Sequence, residues 1–346
     1  MKNKYLMRMA ISMVGSVILF MFVVNNSWMY KSPVAKVLAV HNNGNKQSIE
    51  LRLENGSDKG KTVYVKNKYD NSQVYDERYF KHDYVFLNDE YTGITGIKRD
   101  YWVASIFLFL LSSLITIGGK RGTYTSLCIL GNIALFGIII YMNMRGVDIL
   151  YMTIAGTVIF TFFVLLVVDG LSHRMMLSFA AALLTTLLLS SLVMLLIWHT
   201  DIDYDFLHFL PEPFTTTDAN HFFLAQIIIG CLGAVIDVSV TITAACMELI
   251  ERTPSISNKS LLRSVREVAD DINGTMISVV LLTNIASTLP IFLISMSNEI
   301  SFRTVVSHDA YFYIVRSLTG MLSIVVAILV STFITSLVAR KELKHD

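Results

Sequence analysis

The run from Met175 to Trp198 holds no Asp, Glu, Lys or Arg, and is long enough to cross a bilayer core of about 30 Å as a helix. Six more apolar segments lie near Tyr101–Ile117, Tyr124–Met144, Ile149–Val168, Phe222–Ile250, Thr275–Met296 and Ile314–Val338. An eighth, Met9–Val24, follows Lys2, Lys4 and Arg8 and lacks a small-residue cleavage site, so it reads as an uncleaved signal anchor. With 53% apolar and 16% charged residues in 346, the chain does not have a soluble enzyme's balance. The expected fold is an all-α transmembrane bundle of about eight helices. Net charge is +1, so no overall field points to nucleic acid or another highly charged partner.

Charge placement orients the bundle. With the N-terminus inside, one side carries Lys2, Lys4, Arg8, Lys120, Arg121, Arg174, Arg252, Lys259, Arg263, Arg266, Arg340, Lys341 and Lys344. The short loops and helix mouths of the other side carry only Arg145, Arg303 and Arg316. The positive-inside rule then places both termini on the cytoplasmic side; the membrane expected is a Gram-positive-type cell membrane. The division is an N-terminus and anchor over 1–30, an extracytoplasmic domain over 31–100, a seven-helix membrane domain over 101–339 with a motif hairpin at 222–296, and a tail over 340–346.

Residues 31–100 are the part able to fold in water. Alternation in Ser48–Leu53 and Thr62–Val65, apolar runs at Val34–Val40 and Tyr84–Leu87, and turn residues at Asn55-Gly56 and Asp58–Gly60 predict a small β-barrel or sandwich. Cys128, Cys231 and Cys246 all lie in spans, where they read as apolar packers.

Ionisable residues within spans cost a few kcal/mol, so each calls for a reason. On the sixth span Gly230, Gly233, Ala234 and Asp237 share one helical face, continued by Thr241, Ala244, Ala245 and Glu248. The small residues allow close approach of another helix, and Asp237 places an acid at that contact. The seventh span repeats the design with Asn273, Gly274, Asn284 and Thr288, and Pro290 frees a carbonyl near Ala286. If Glu248 and Asn273 mark the mouths of two antiparallel neighbours, Asp237 and Asn284 meet near the midplane. The functional reading is a proton, cation or substrate site at Asp237, Thr241, Asn284 and Thr288. The structural reading is hydrogen-bonded glue between helices. Between these spans, a loop and a short charged helix from Leu261 read either as a solvated interfacial helix or as a cytoplasmic gate using Glu248, Asp271 and Asn273.

These two stretches, GCLGAVIDVSVTITAACMELIE from Gly230 to Glu251 and LLRSVREVADDINGTMISVVLLTNIASTLP from Leu261 to Pro290, closely resemble the YibE/F family of bacterial multi-pass membrane proteins. The β-rich insert after the first helix also matches that layout. Where the family pattern has Gly-Arg-Asp before the seventh span, this chain has Ala269, Asp270 and Asp271, so no cation is implied there. The resemblance implies a permease-like membrane protein with a second YibE/F-like subunit or a homo-oligomer as partner, besides the lipid bilayer. It implies no cofactor.

Other candidates are weaker. Asp201, Asp203, Asp205 and Glu212 follow an EF-hand spacing, but Phe206 stands where glycine is needed and Pro211 interrupts. A looser divalent-cation site would add His199, His208 or His221, and a solvated acidic loop is the leading reading. GSDKGK lacks the context of a phosphate loop, and HExxH and GxSxG are missing, so no enzyme, catalytic residue or metal centre is expected. The expected function is a secondary transporter or permease subunit. The alternative is an envelope protein whose β-domain binds a cell-wall component or a protein partner.

Overall fold

The computed structural model describes residues 2–70, 76–199, 216–307 and 311–342. It divides into two compact units, Met1–Ser126 and Leu127–Asp346.

The first unit holds α1 (Lys2–Val24), five strands, α2 (Asp100–Gly118) and the first turns of α3 (Lys120–Met144). The strands β1 (Val34–Asn43), β2 (Lys46–Leu53), β3 (Thr62–Lys68), β4 (Tyr84–Leu87) and β5 (Ile94–Ile97) form one antiparallel sheet in the order β3-β2-β1-β4-β5. The expected barrel or sandwich is therefore an open five-stranded sheet. Four of its strands fall where alternation (β2, β3) and apolar runs (β1, β4) predicted them; β5, short and broken by Gly96, gave no such signal. Gly44, at φ 58, makes the tight β1–β2 turn, which pairs Asn43 with Lys46.

One face of this sheet buries Val37, Ile49, Leu51, Leu53, Val65, Val85 and Leu87. At its edge, the buried Gln47 spends its whole amide. Its Nε2 donates to Asn42 Oδ1 (2.9 Å) and the Tyr79 carbonyl (3.0 Å), and its Oε1 accepts from Asn67 Nδ2 (3.1 Å) and the Tyr79 N–H (3.0 Å). Gln47→Leu leaves two buried backbone groups of Tyr79 unpaired. A loss of about 2 kcal/mol is expected, read as a lowered denaturant midpoint; an unchanged midpoint would show that water takes over both bonds.

Fully buried Lys98, between β5 and α2, closes this unit. Its ammonium donates to the Val23 carbonyl in the last turn of α1, pairs with Asp100 Oδ1 at 3.0 Å at the start of α2, and lies 5.6 and 5.5 Å from the rings of Tyr30 and Tyr101. A cation at a helix C-terminus satisfies a carbonyl that the helix itself cannot. The Tyr30 hydroxyl donates to the other Asp100 oxygen. Burial, and after it the Asp100 carboxylate, pushes the Tyr30 phenol up to about 12.

The second unit contains the rest of α3, then α4 (Ile149–Asp169), α5 (His173–His199), α6 (Thr216–Arg252), α7 (Asn258–Ser297), the short α8 (Phe302–Ser307) and α9 (Tyr311–Glu342). Among the described residues seven helices, α2 to α7 and α9, are long and apolar enough to cross a membrane. α1, the expected eighth span, is helical from Lys2, but its apolar stretch Met13–Val24 is shorter.

α6 is the axis of the bundle core. Phe223, Ile227, Cys231, Val235, Val238, Ile242, Cys246 and Ile250 recur every three or four residues and are all buried, so one continuous stripe packs inward. It packs against α4, α5, α7 and α9. Other helices turn large apolar side chains outward, among them Ile159, Leu187, Leu282 and Phe333, as a lipid solvent favours. Asp148 caps α4 by accepting from the Leu150 N–H (2.7 Å), and its other oxygen meets His221 Nδ1 of α6 at 2.5 Å.

α7 departs from the expected loop and separate helix. Ser257 caps it, its Oγ accepting from the Ser260 N–H at 3.1 Å, and the helix then runs unbroken for 40 residues, Pro290 included. In its first turns Leu261, Val265 and Ala269 lie one turn apart and join the main core, so this segment packs on the bundle rather than floating at an interface.

Candidate functional site

The face of α6 opposite its buried stripe is open. Gln226, Gly230, Gly233, Asp237, Thr241 and Glu248 are exposed along it, and Ala234 is half-buried. This is the face of small and polar residues that the sequence singles out. The Asp237 carboxylate has no hydrogen-bond or ion-pair partner among the described residues; the Thr241 hydroxyl turns back to the Asp237 carbonyl at 2.8 Å.

Asn284 does not face Asp237. Its Nδ2 donates to the Val280 carbonyl (2.8 Å), and its Oδ1 accepts from Arg316 Nε of α9 at 3.0 Å. Arg316 in turn lies against α6 at Gly230, where an added Cβ would come 3.8 Å from the Arg316 Cδ. One arginine thus touches both helices and fixes their relative register. Asn284 is level with Gly230, seven residues and about 10 Å along the axis from Asp237. The expectation of equal depth assumed that α7 enters at Asn273; the helix instead begins at Asn258 and is anchored by its own apolar face.

Arg316 also changes meaning. Counted with the helix mouths in sequence, it lies level with Gly230, eight residues or about 12 Å inside the apolar run that starts at Phe222. That is near the middle of a hydrocarbon layer of about 30 Å. The guanidinium is half-buried, stands 5.3 Å from the Tyr313 ring, and has no carboxylate partner among the described residues. Its signal in the sequence was its position inside α9, hidden because depth is set by neighbouring helices and not by a residue's distance from its own helix end.

The remaining expected residues divide. Thr288 is buried, its hydroxyl donating to the Asn284 carbonyl at 2.6 Å, and both line a cavity of about 510 Å³ between α7 and α9. Gly233 lines a smaller one of about 230 Å³ with Asn132 and Thr153, whose side-chain oxygens are buried and unpartnered. Gly274 is exposed, with open space where a Cβ would stand. Among the described residues the expected gate residues do not meet: Glu248 pairs with Arg252 on its own helix at 2.6 Å, Asp271 is exposed, and the buried Asn273 Oδ1 has no partner there. Asp201, Asp203, Asp205, His208 and Glu212 lie outside the described residues; His199 and His221 are described, and among the described residues no group of three metal-binding side chains gathers.

Sequence reasoning also missed a seam of hydroxyls in the core. Thr153, Thr157 and Thr161 of α4, Ser178 and Thr185 of α5, and Ser239 of α6 are buried with unpartnered side-chain oxygens. Spaced one or two turns apart, each carries no signal of its own in a span.

Residues 106–341 match the model of the YibE/F-like protein family, and residues 28–99 match that of the YibE/F family N-terminal domain. The chain belongs to the YibE/F family. The two matches cover the membrane helices after the first and the β-domain respectively, and with seven long apolar helices they make this YibE/F chain an integral, multi-pass membrane protein. No curated protein and no solved structure matches it significantly.

Proposed function

We propose that this YibE/F protein is a secondary transporter, or the permease subunit of one, and not an enzyme. Its polar path follows the open face of α6, with Asp237 as the group that takes up a proton or cation. The observation that carries this reading is a pair of opposite charges, Asp237 and Arg316, at two levels of one small-residue face, neither with a carboxylate or cationic partner among the described residues. Each costs about 3 kcal/mol to place at a helix centre in a membrane, a burden that a merely structural bundle has no reason to carry twice. An exposed polar face in lipid also calls for a cover, which a second YibE/F-like subunit or a second copy of this chain would provide. In this reading both termini are cytoplasmic and residues 31–100 face outward from the cell membrane.

Water access tests the path without knowledge of the substrate. Asp237→Cys should react with a membrane-impermeant maleimide at least tenfold faster than Leu282→Cys, which is exposed on the apolar outside of α7. The native Cys128, Cys231 and Cys246 are buried and should give little background. Equal, slow labelling at both positions would remove the path and favour the envelope reading, in which the β-domain binds a wall component or partner and the helices anchor it.

A further inference from the structure

We propose that Arg316 is the anchor of an anion site within the membrane domain, and that its ligand is an organic anion: a carboxylate or phosphate group carried on an apolar body. This deepens the transport reading above by naming the class of substrate, and it rests on that reading for its role in transport, though not for the binding itself.

The argument begins with a charge that cannot be discharged. A carboxyl group in lipid can neutralise itself by taking a proton, whereas arginine keeps its charge in proteins. Arg316 therefore needs a counter-charge, and none of the described residues supplies one. Elsewhere in this unit charges are paired where they meet the helix ends: Arg174 with Asp169 at 2.5 Å, and His221 with Asp148.

The guanidinium is oriented but not saturated. Asn284 has committed its N–H to the Val280 carbonyl, so its oxygen is held toward Arg316 and takes only the Nε hydrogen. The terminal nitrogens, the fork that binds carboxylate or phosphate, have no partner among the described residues. Gly230 leaves room for the arginine stem.

Donors converge on the same turn of α9. Ser317 is buried, 8% exposed, and its Oγ has no partner; Tyr313 has none for its hydroxyl among the described residues. Both line the α7–α9 cavity, as does Asn284; Arg316 borders this wall rather than forming part of it, its guanidinium meeting two of the wall residues, Asn284 and Tyr313. Among the described residues no Asp or Glu lines that cavity, and apart from Thr288 the rest of its wall is apolar, including Leu281, Phe292 and Met321. A volume of about 510 Å³ is within the usual range for small-molecule pockets. Unpartnered donors in the wall, no acid among the described lining residues, and apolar walls define an anion with a hydrophobic body.

The test is thermal unfolding of the full chain in phosphatidylcholine nanodiscs, with 4-phenylbutyrate as probe and 4-phenylbutan-1-ol and 4-phenylbutylamine as its uncharged and cationic counterparts. A ligand at a hundred times its Kd stabilises the native state, so the carboxylate alone should raise the midpoint by a few degrees. Arg316→Gln should abolish the shift and Arg316→Lys should reduce it. Should Arg316→Gln fail to fold, the comparison of acid with alcohol on the unaltered chain still decides. Discs containing phosphatidylglycerol separate the sources: if anionic lipid gives the shift and abolishes the probe's, the anion is a lipid; if the probe still acts, it is a free solute. Equal effects of acid and alcohol, or no shift with either the probe or the anionic lipid, overturn the proposal. If the Asp237→Cys variant labels rapidly but no anion binds, the path stands and only the substrate class falls; if an anion binds while that variant stays shielded from the maleimide, the site stands and the path falls.

Discussion

Asp100→Ala should destabilise the unit that carries the β-sheet by about 3 kcal/mol. The substitution strands the Lys98 ammonium, which has no solvent contact, with only a helix-end carbonyl and two aromatic faces to stabilise it. Loss of one partner of a buried pair costs about 3–5 kcal/mol because the other charge is left uncompensated; the lower end applies because the Asp100 side chain is 32% exposed and water can reach the gap. The Tyr30 hydroxyl loses its acceptor as well. Removing both charges is far less costly, so Lys98→Met combined with Asp100→Ala should recover most of the stability. Limited proteolysis of the detergent-solubilised protein across a urea series would measure this. Additive losses in the double variant would show that the two side chains act independently.

Gly122→Ala should have an effect of similar size on the α2–α3 hairpin. Alanine normally improves a helix over glycine by nearly 1 kcal/mol, and at Gly137 of the same helix, where nothing lies within 4 Å, that gain is expected. At Gly122 the added Cβ would come within 1.9 Å of the Leu114 carbonyl oxygen and 2.7 Å of its carbon. These are backbone atoms of α2, so no rotamer can relieve the clash and the two helices must separate. Overpacking of this kind costs about 1–3 kcal/mol or more, with the sign opposite to that at Gly137. Comparing the melting points of the two variants isolates the contact, since propensity alone predicts that both rise.

The helices were legible because crossing lipid imposes a length and a composition that few other structures share; Met175–Trp198 lies inside α5 with little to spare at either end. The open face of α6 was legible because a period of 3.6 residues places Gly230, Gly233 and Asp237 together whatever surrounds them. What periodicity does not carry is the axial offset between neighbours. That offset depends on one bond between Arg316 and Asn284, separated by 32 positions, and on the three apolar residues Leu261, Val265 and Ala269 that extend α7. The same limit applies to the sheet: alternation marks a strand, but whether five strands close into a barrel depends on shear and strand count, which no single strand encodes.

The long α7 is secured in an uneven way. Its buried residues are Leu261, Val265 and Ala269 near one end and Thr288 and Ser295 toward the other, and none lies between. Over the roughly 28 Å between them the helix rests on the core through half-buried side chains such as Ile272, Met276, Ile277 and Val280. The Asn284–Arg316 bond lies at the end of that lightly seated stretch, one turn before Thr288, and ties it to α9. Whatever competes with Asn284 for the arginine therefore also loosens the tie between α7 and α9 where α7 is lightly seated.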